Sequence, residues 1–333
     1  MISPAAARRC VATCGALALA LLPGRSAAQD TPPVQASITG RVVLAAAGKD
    51  LRPVPGVWVA LNRVGDDSAG VIDSVRTGAD GGYRFVFQRA GDVDAIYFTD
   101  VIHGGVAYFT DPLMGVTIGG EDAELVVFDT VSQQGMMRLR GRHAVVGPRM
   151  ENGRRPIVEV FELTNDTSLT VVPRSDTQPV WSVALPPGAE DPQVGDGDVP
   201  ASVVRFRAGR AELHAPMSPG LRQLSVRYSL SEDAFPLEIT LEQPAELLEV
   251  LLAGDDDEAS GAGLHFERQV EIEGAPYARY LSATATTGNR IVISLGGAAA
   301  ARRAVPAAIG ASVVILAGAL VYARRTAYRS GDN

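Results

Sequence analysis

Titratable and nucleophilic side chains are the place to look for chemistry, and here they are dispersed. Histidines 103, 143, 214 and 265 fall on different candidate strands or loops, and no two have metal-ligand spacing. There is no His-Glu-x-x-His pair of the kind that seats zinc on one helix face. His103-Gly104-Gly105 has the look of an esterase oxyanion segment, but a Gly-x-Ser-x-Gly nucleophile turn is missing, so a plain turn is the simpler reading. Oxygen ligands are better represented. Asp196 and Asp198 lie in one glycine-flanked acidic loop, and Asp255, Asp256, Asp257 and Glu258 form another. Such loops could offer Ca²⁺ several carboxylates, although neither follows the EF-hand order. The competing reading is a solvated charged loop that keeps strand edges from pairing. Trp58 and Trp181 are the candidates for stacking on a sugar, but Trp58 sits mid-strand between Val57 and Val59, and core packing is the expected fate of both. No cofactor is implied, and no catalytic set emerges.

The elements that would carry these residues are short strands. Ser37–Leu44, Val57–Leu61, Val71–Arg76 and Tyr83–Gln88 are rich in β-branched or aromatic residues, and Tyr83, Phe85 and Phe87 alternate with polar or smaller neighbours. Asp80-Gly81 supplies a tight turn. Ala95–Phe98, Val106–Phe109 and Glu124–Phe128 bring the count to about seven, the number expected of a β-sandwich. Further on, Leu224 to Leu230 and Leu237 to Glu242 alternate apolar with polar and read as strands with one wet face. Ile157–Leu163, Val180–Leu185, Val203–Phe206 and Ile291–Leu295 are further candidates, while Ala245–Leu252 fits helix or strand.

The order Ile38-Thr-Gly-Arg-Val-Val43, then Pro53-Val-Pro-Gly-Val-Trp-Val-Ala-Leu61, then Ser74-Val-Arg-Thr-Gly-Ala-Asp-Gly-Gly-Tyr-Arg-Phe85 resembles carboxypeptidase regulatory-like domains. The resemblance covers about one domain by size. It implies a prealbumin-type β-sandwich of the kind found in exported bacterial proteins, an accessory module without catalytic residues.

The ends read differently. Residues 304–323 carry no charge, with Arg302 and Arg303 before them and Arg324, Arg325 and Arg329 after. A helix over 305–323 would span roughly 28 Å, enough for a bilayer core. A buried helix of a soluble domain is the alternative. At the other end, Arg8-Arg9, the apolar run Val11–Leu22 and Ser26-Ala27-Ala28 have the layout of a secretory signal peptide over residues 1–28. An uncleaved anchor is the alternative; twin-arginine and lipoprotein signals fit poorly around Cys10 and Cys14. Cleavage after Ala28 would remove both cysteines, and with them any disulfide or thiolate chemistry.

The 333 residues carry a formal charge of -8, and Lys49 is the only lysine, which leaves no basic stripe for nucleic acid. The expected architecture is all-β: two tandem β-sandwich domains over 34–131 and 134–295, a tether over 296–303, a single transmembrane helix over 304–323 and a cytoplasmic tail over 324–333. A split of the second domain near Pro244 is the variant. The positive-inside bias places the bulk outside the cytoplasmic membrane, in the periplasm if the cell is Gram-negative. The function expected is non-enzymatic binding or assembly at the cell envelope, with the membrane and an envelope protein or glycan as partners. A glycan-binding module and a hydrolase with an unrecognised site are the alternatives. Covalent attachment by sortase is disfavoured, because no Leu-Pro-x-Thr-Gly precedes the span.

Overall fold

A computed structural model describes residues 31–46, 50–254 and 256–296. The signal-peptide and membrane-span readings, over 1–28 and 304–323, lie outside the described residues, as do the tail and most of the tether. Among the described residues no helix is long and apolar enough to cross a membrane.

The first part is built from β1 (Thr31–Ala45), β2 (Leu51–Pro53), β3 (Trp58–Val64), β4 (Ala69–Arg76), β5 (Gly82–Gly91), β6 (Ile96–His103), β7 (Val106–Phe109) and β8 (Thr117–Val127). In one sheet β1 is central: β2 and β5 pair with it antiparallel, and β8 pairs with it in parallel. The other sheet runs β4-β3-β6-β7. Ile38, Val42, Tyr83, Phe85 and Leu125 from the first sheet share one core with Val59, Leu61, Val101 and Tyr108 from the second. The alternation in each strand thus feeds a single inner layer, which is a β-sandwich.

A packing detail accounts for part of the motif. Gly40 lies opposite Tyr83 in the β1–β5 register. A Cβ on Gly40 would come within 2.0 Å of the Ala123 carbonyl oxygen and 2.6 Å of the Tyr83 ring. The Tyr83 hydroxyl occupies the space above, donating to the Ala123 carbonyl at 2.7 Å. Burial pushes that phenol up to about 12.

The second part comprises β9 (Thr130–Val131), β10 (Arg138–Val146), β11 (Arg154–Asn165), β12 (Thr170–Val171), β13 (Trp181–Ala184), β14 (Glu190–Val194), β15 (Val204–Arg207), β16 (Arg210–Leu213), β17 (Gly220–Ser231), β18 (Leu237–Thr240), β19 (Ala245–Leu252), β20 (Glu258–Gly261), β21 (His265–Ile272), β22 (Ala275–Ser282) and β23 (Arg290–Ser294). A seven-stranded sheet runs β14-β17-β11-β10-β19-β22-β21, and two three-stranded sheets run β13-β16-β15 and β18-β23-β20. All three contribute to one hydrophobic core, which includes Phe161, Trp181, Leu213, Leu224, Leu248 and Ile293. That core crosses Pro244 without a break. A smaller cluster around Val145, Val160, Leu251 and Tyr277 lies apart from it. The middle strands of the large sheet are therefore buried on both faces.

Ala245–Leu252, open between helix and strand in the sequence, is a strand, parallel to β10. Its Leu and Glu content suits a helix, but the neighbouring ladder overrides a propensity worth tenths of a kcal/mol per residue. The expected wet face of β17 holds at Arg227, which is exposed, but Ser225 is buried under the backbone of Gly195, and Gln223 next to it under Gly197. The two parts adjoin beside the parallel pair β9–β12, with which the second part opens. There the Tyr108 hydroxyl donates to the Phe128 carbonyl and contacts the Thr170 hydroxyl at 2.8 Å.

Candidate functional site

β3 shows why Trp58 does not follow the core-packing expectation. Val59 and Leu61 point inward, and alternation then sends Trp58, Ala60, Asn62 and Val64 to the outer face. Trp58 is 58% exposed, and the Arg76 guanidinium of β4 stacks 5.0 Å from its ring centre. The inner end of the strand is closed by Arg63, buried and bound to Asp67 at 2.7 Å, the Tyr97 hydroxyl at 3.3 Å and the Ser68 carbonyl at 3.0 Å. The outer face continues across β6 and β7. Ile102 is 67% exposed and Phe109 61%, with Phe98 packed 5.9 Å from the Phe109 ring. Val71 of β4 stands 60% exposed opposite Asn62. In the middle, the Asn62 amide donates to Asp100 at 2.5 Å. Thirteen of the fourteen large apolar side chains that are exposed among the described residues belong to this sandwich; the other is Phe266.

A groove of about 550 Å³ adjoins this face and shares Phe109 with it; Asp111, Met114, Glu121, Asp122 and Glu124 also line it. Glu124 is tied to Arg41. A second groove of about 580 Å³ lies on the other part, between Pro186-Pro187-Gly188 and Phe206 to Arg210. Neither lining contains a histidine, cysteine or serine; Thr110 and the carboxylates are the reactive groups of the first groove.

Trp181 is in the main core, its ring 5.1 Å from Phe161 and 6% exposed, and so has no free face for a ligand. The acidic loops do structural work. Asp198 accepts the Gln223 amide of β17 at 2.9 Å, while Asp196 is exposed. Asp257 is buried, paired with Arg155 at 2.9 Å and accepting the Gly296 amide at 3.0 Å. Asp256 lies against Gly296, Glu258 opens β20, and Asp255 is outside the described residues. Among the described residues no three His, Cys, Asp or Glu side chains are grouped to hold a metal. Gly104 and Gly105 take positive φ in the tight turn from β6 to β7, so His103 precedes a hairpin turn, with its ring 3.2 Å from Asp129.

Two buried polar networks were not visible in the sequence. Arg142 donates through Nε to Glu159 at 2.7 Å, and the Tyr228 hydroxyl donates to the other Glu159 oxygen at 2.7 Å. Burial first, and then the Glu159 charge, hold the Tyr228 phenol far above its usual range. His143 is the centre of the second network. It bonds Glu249 at 2.5 Å through Nδ1 and lies 3.7 Å from Glu162, and Arg279 bonds the other Glu249 oxygen at 2.5 Å. Burial pulls the imidazole down, but the two glutamates outweigh it and its pKa rises to about 9. Buried charges of this kind need partners far along the chain, and sequence spacing gives no sign of them.

No family model matches the chain, and no curated protein matches it. Among solved structures it is similar to a DUF3823 family protein from Parabacteroides merdae, at 13% identity, with 76% of this chain and 98% of that one covered and a TM-score of 0.20. It is also similar to the major pilins SpaA and SpaD of Corynebacterium diphtheriae. For SpaA the identity is 9%, the coverage 78% and 84%, and the TM-score 0.21. For SpaD the identity is 10%, the coverage 82% and 89%, and the TM-score 0.19. Superpositions at this level carry no argument, and the fold rests on the sheets and cores described above.

Proposed function

We propose that this chain is a non-enzymatic, membrane-anchored extracytoplasmic β-sandwich protein with a binding or assembly role at the cell envelope. The observation that carries the binding role is the outer face of the β4-β3-β6-β7 sheet. The largest contiguous exposed apolar patch of a protein is often an interaction site. The anchoring part of the reading is supported by the uncharged run 304–323 between arginine clusters, and export by the basic and apolar layout of residues 1–28. On this reading the chain sits in the cytoplasmic membrane with a single pass. The non-enzymatic part is supported by the buried charges, which are committed to one another and lie outside both grooves.

A second reading, a glycan-binding envelope module, is favoured by the exposed Trp58 ring with Arg76 beside it and the Asn62–Asp100 pair further along β3. Affinity capture of the detergent-solubilised protein from its own cells separates the two. The binding role predicts a reproducible protein partner that is lost with Phe109→Lys. Polysaccharide retained by the protein and lost with Trp58→Ala would transfer the face to glycan, and capture of neither would contradict both.

A further inference from the structure

The chemistry of the exposed face selects its occupant, which deepens the binding role proposed above and rests on it. Trp58, Phe98, Phe109, Ile102 and Val71 form its apolar part, with Arg76 stacked on Trp58. Aromatic and arginine side chains of this sort are the anchors of protein interfaces, and exposed aliphatic ones add apolar contact area around them. The exposed aliphatic share suits a protein surface better than a sugar, whose rings stack on aromatics.

Size and charge narrow the choice further. Four strands about 4.8 Å apart and seven residues long at about 3.3 Å each give a face of about 440 Å² in plan. A stable interface needs about 800 Å² from each partner, so the face is small for a second copy of this chain. A second copy would also be repelled. Residues 34–131 hold thirteen acidic and seven basic residues, a net charge of -6 out of -8 for the whole chain. Asp100 lies within the face, and Asp111, Glu121 and Asp122 line the groove that continues from Phe109. A cationic partner gains from that field, and an anionic one is rejected by it.

We infer that the outer face of the β4-β3-β6-β7 sheet docks a short protein segment carrying aliphatic or aromatic side chains together with arginine or lysine. The apolar side chains of the segment seat between Trp58 and Phe109, and its cations reach the carboxylates of the adjoining groove.

The probes are three synthetic peptides of equal length: one alternating arginine with valine around a central phenylalanine, one with glutamate in place of arginine, and one of arginine alone. Each is titrated against the full-length protein in a neutral detergent, with empty micelles as baseline. Peptide anisotropy and tryptophan emission are both read. The chain has two tryptophans and Trp181 is buried, so a blue shift reports on Trp58, and Trp58→Phe removes it. The expected result is binding of the arginine–valine peptide with that shift. The other two peptides bind at least about tenfold more weakly, as does the first peptide to an Ile102→Lys/Phe109→Lys variant, a change of about 1.4 kcal/mol. Both substitutions are at exposed positions, and an unchanged thermal midpoint confirms folding. The inference is overturned by no binding above the micelle baseline, by equal affinity for the glutamate peptide, or by undiminished affinity in the double variant. A dimer in sedimentation that Ile102→Lys dissociates would make a second copy the occupant and also overturn it. None of these outcomes bears on export or anchoring, which the labelling experiment below tests separately.

Discussion

Arg142 and Glu159 form an ion pair inside an apolar core, where neither charge has water to fall back on. Removing one partner strands the other, so Glu159→Ala is expected to cost about 3–5 kcal/mol in urea denaturation. The double change Arg142→Met/Glu159→Leu should cost far less, because it removes the charge and its counter-charge together. His143 gives a separate signature. Its folded pKa, about 9, lies above the unfolded value of about 6.5. The stabilisation is therefore complete below about pH 6.5 and is lost as pH rises through about 9, to the order of 3 kcal/mol. Glu162, Glu249 and Arg279 surround the ring; of these, Glu249 is held below the usual carboxylate range, because the His143 and Arg279 contacts outweigh the upward push of burial. Denaturation midpoints from pH 6 to 10 should show the loss, and His143→Gln should flatten it.

Strands that alternate apolar with polar residues were legible in the sequence: β3, β5, β7, β17 and β18 fall where that pattern places them. β10, central to the large sheet, was not. Its Arg138, Arg140, Arg142 and His143 resemble a solvated segment until Glu159, Glu246 and Glu249 arrive from other strands. The β21–β22 hairpin was missed for the opposite reason, since β21 is exposed along most of its length and shows no buried face. The motif glycine is clearer in structure than in sequence. Gly40 permits β1 to approach both Ala123 and Tyr83, so Gly40→Ala is expected to destabilise the first sandwich by about 3 kcal/mol, readable as a lowered thermal midpoint. Trp58 shows the limit of reading one strand alone. Valine neighbours placed it near the core, but the alternation itself puts it on the opposite face.

The molecule as a whole combines a strand-built body with two terminal segments of a different character. The Tyr108–Thr170 contact beside the β9–β12 pair joins the two parts of the body, and Val172 packs against the first core while Val131 packs against the second. On the proposed topology the body lies outside the membrane with its apolar sheet face accessible, and residues 324–333 lie inside. The sequence contains cysteine only at Cys10 and Cys14, so removal of residues 1–28 would leave a thiol-free background for labelling. The direct measurement is reaction of a membrane-impermeant maleimide with spheroplasts expressing Ile102→Cys or Ser330→Cys in the full chain. The account predicts that the Ile102→Cys protein reacts without permeabilisation, and that the Ser330→Cys protein reacts only after it, both remaining with the membrane through carbonate extraction. Labelling of Ser330→Cys from outside, or release of the protein by carbonate, would contradict it.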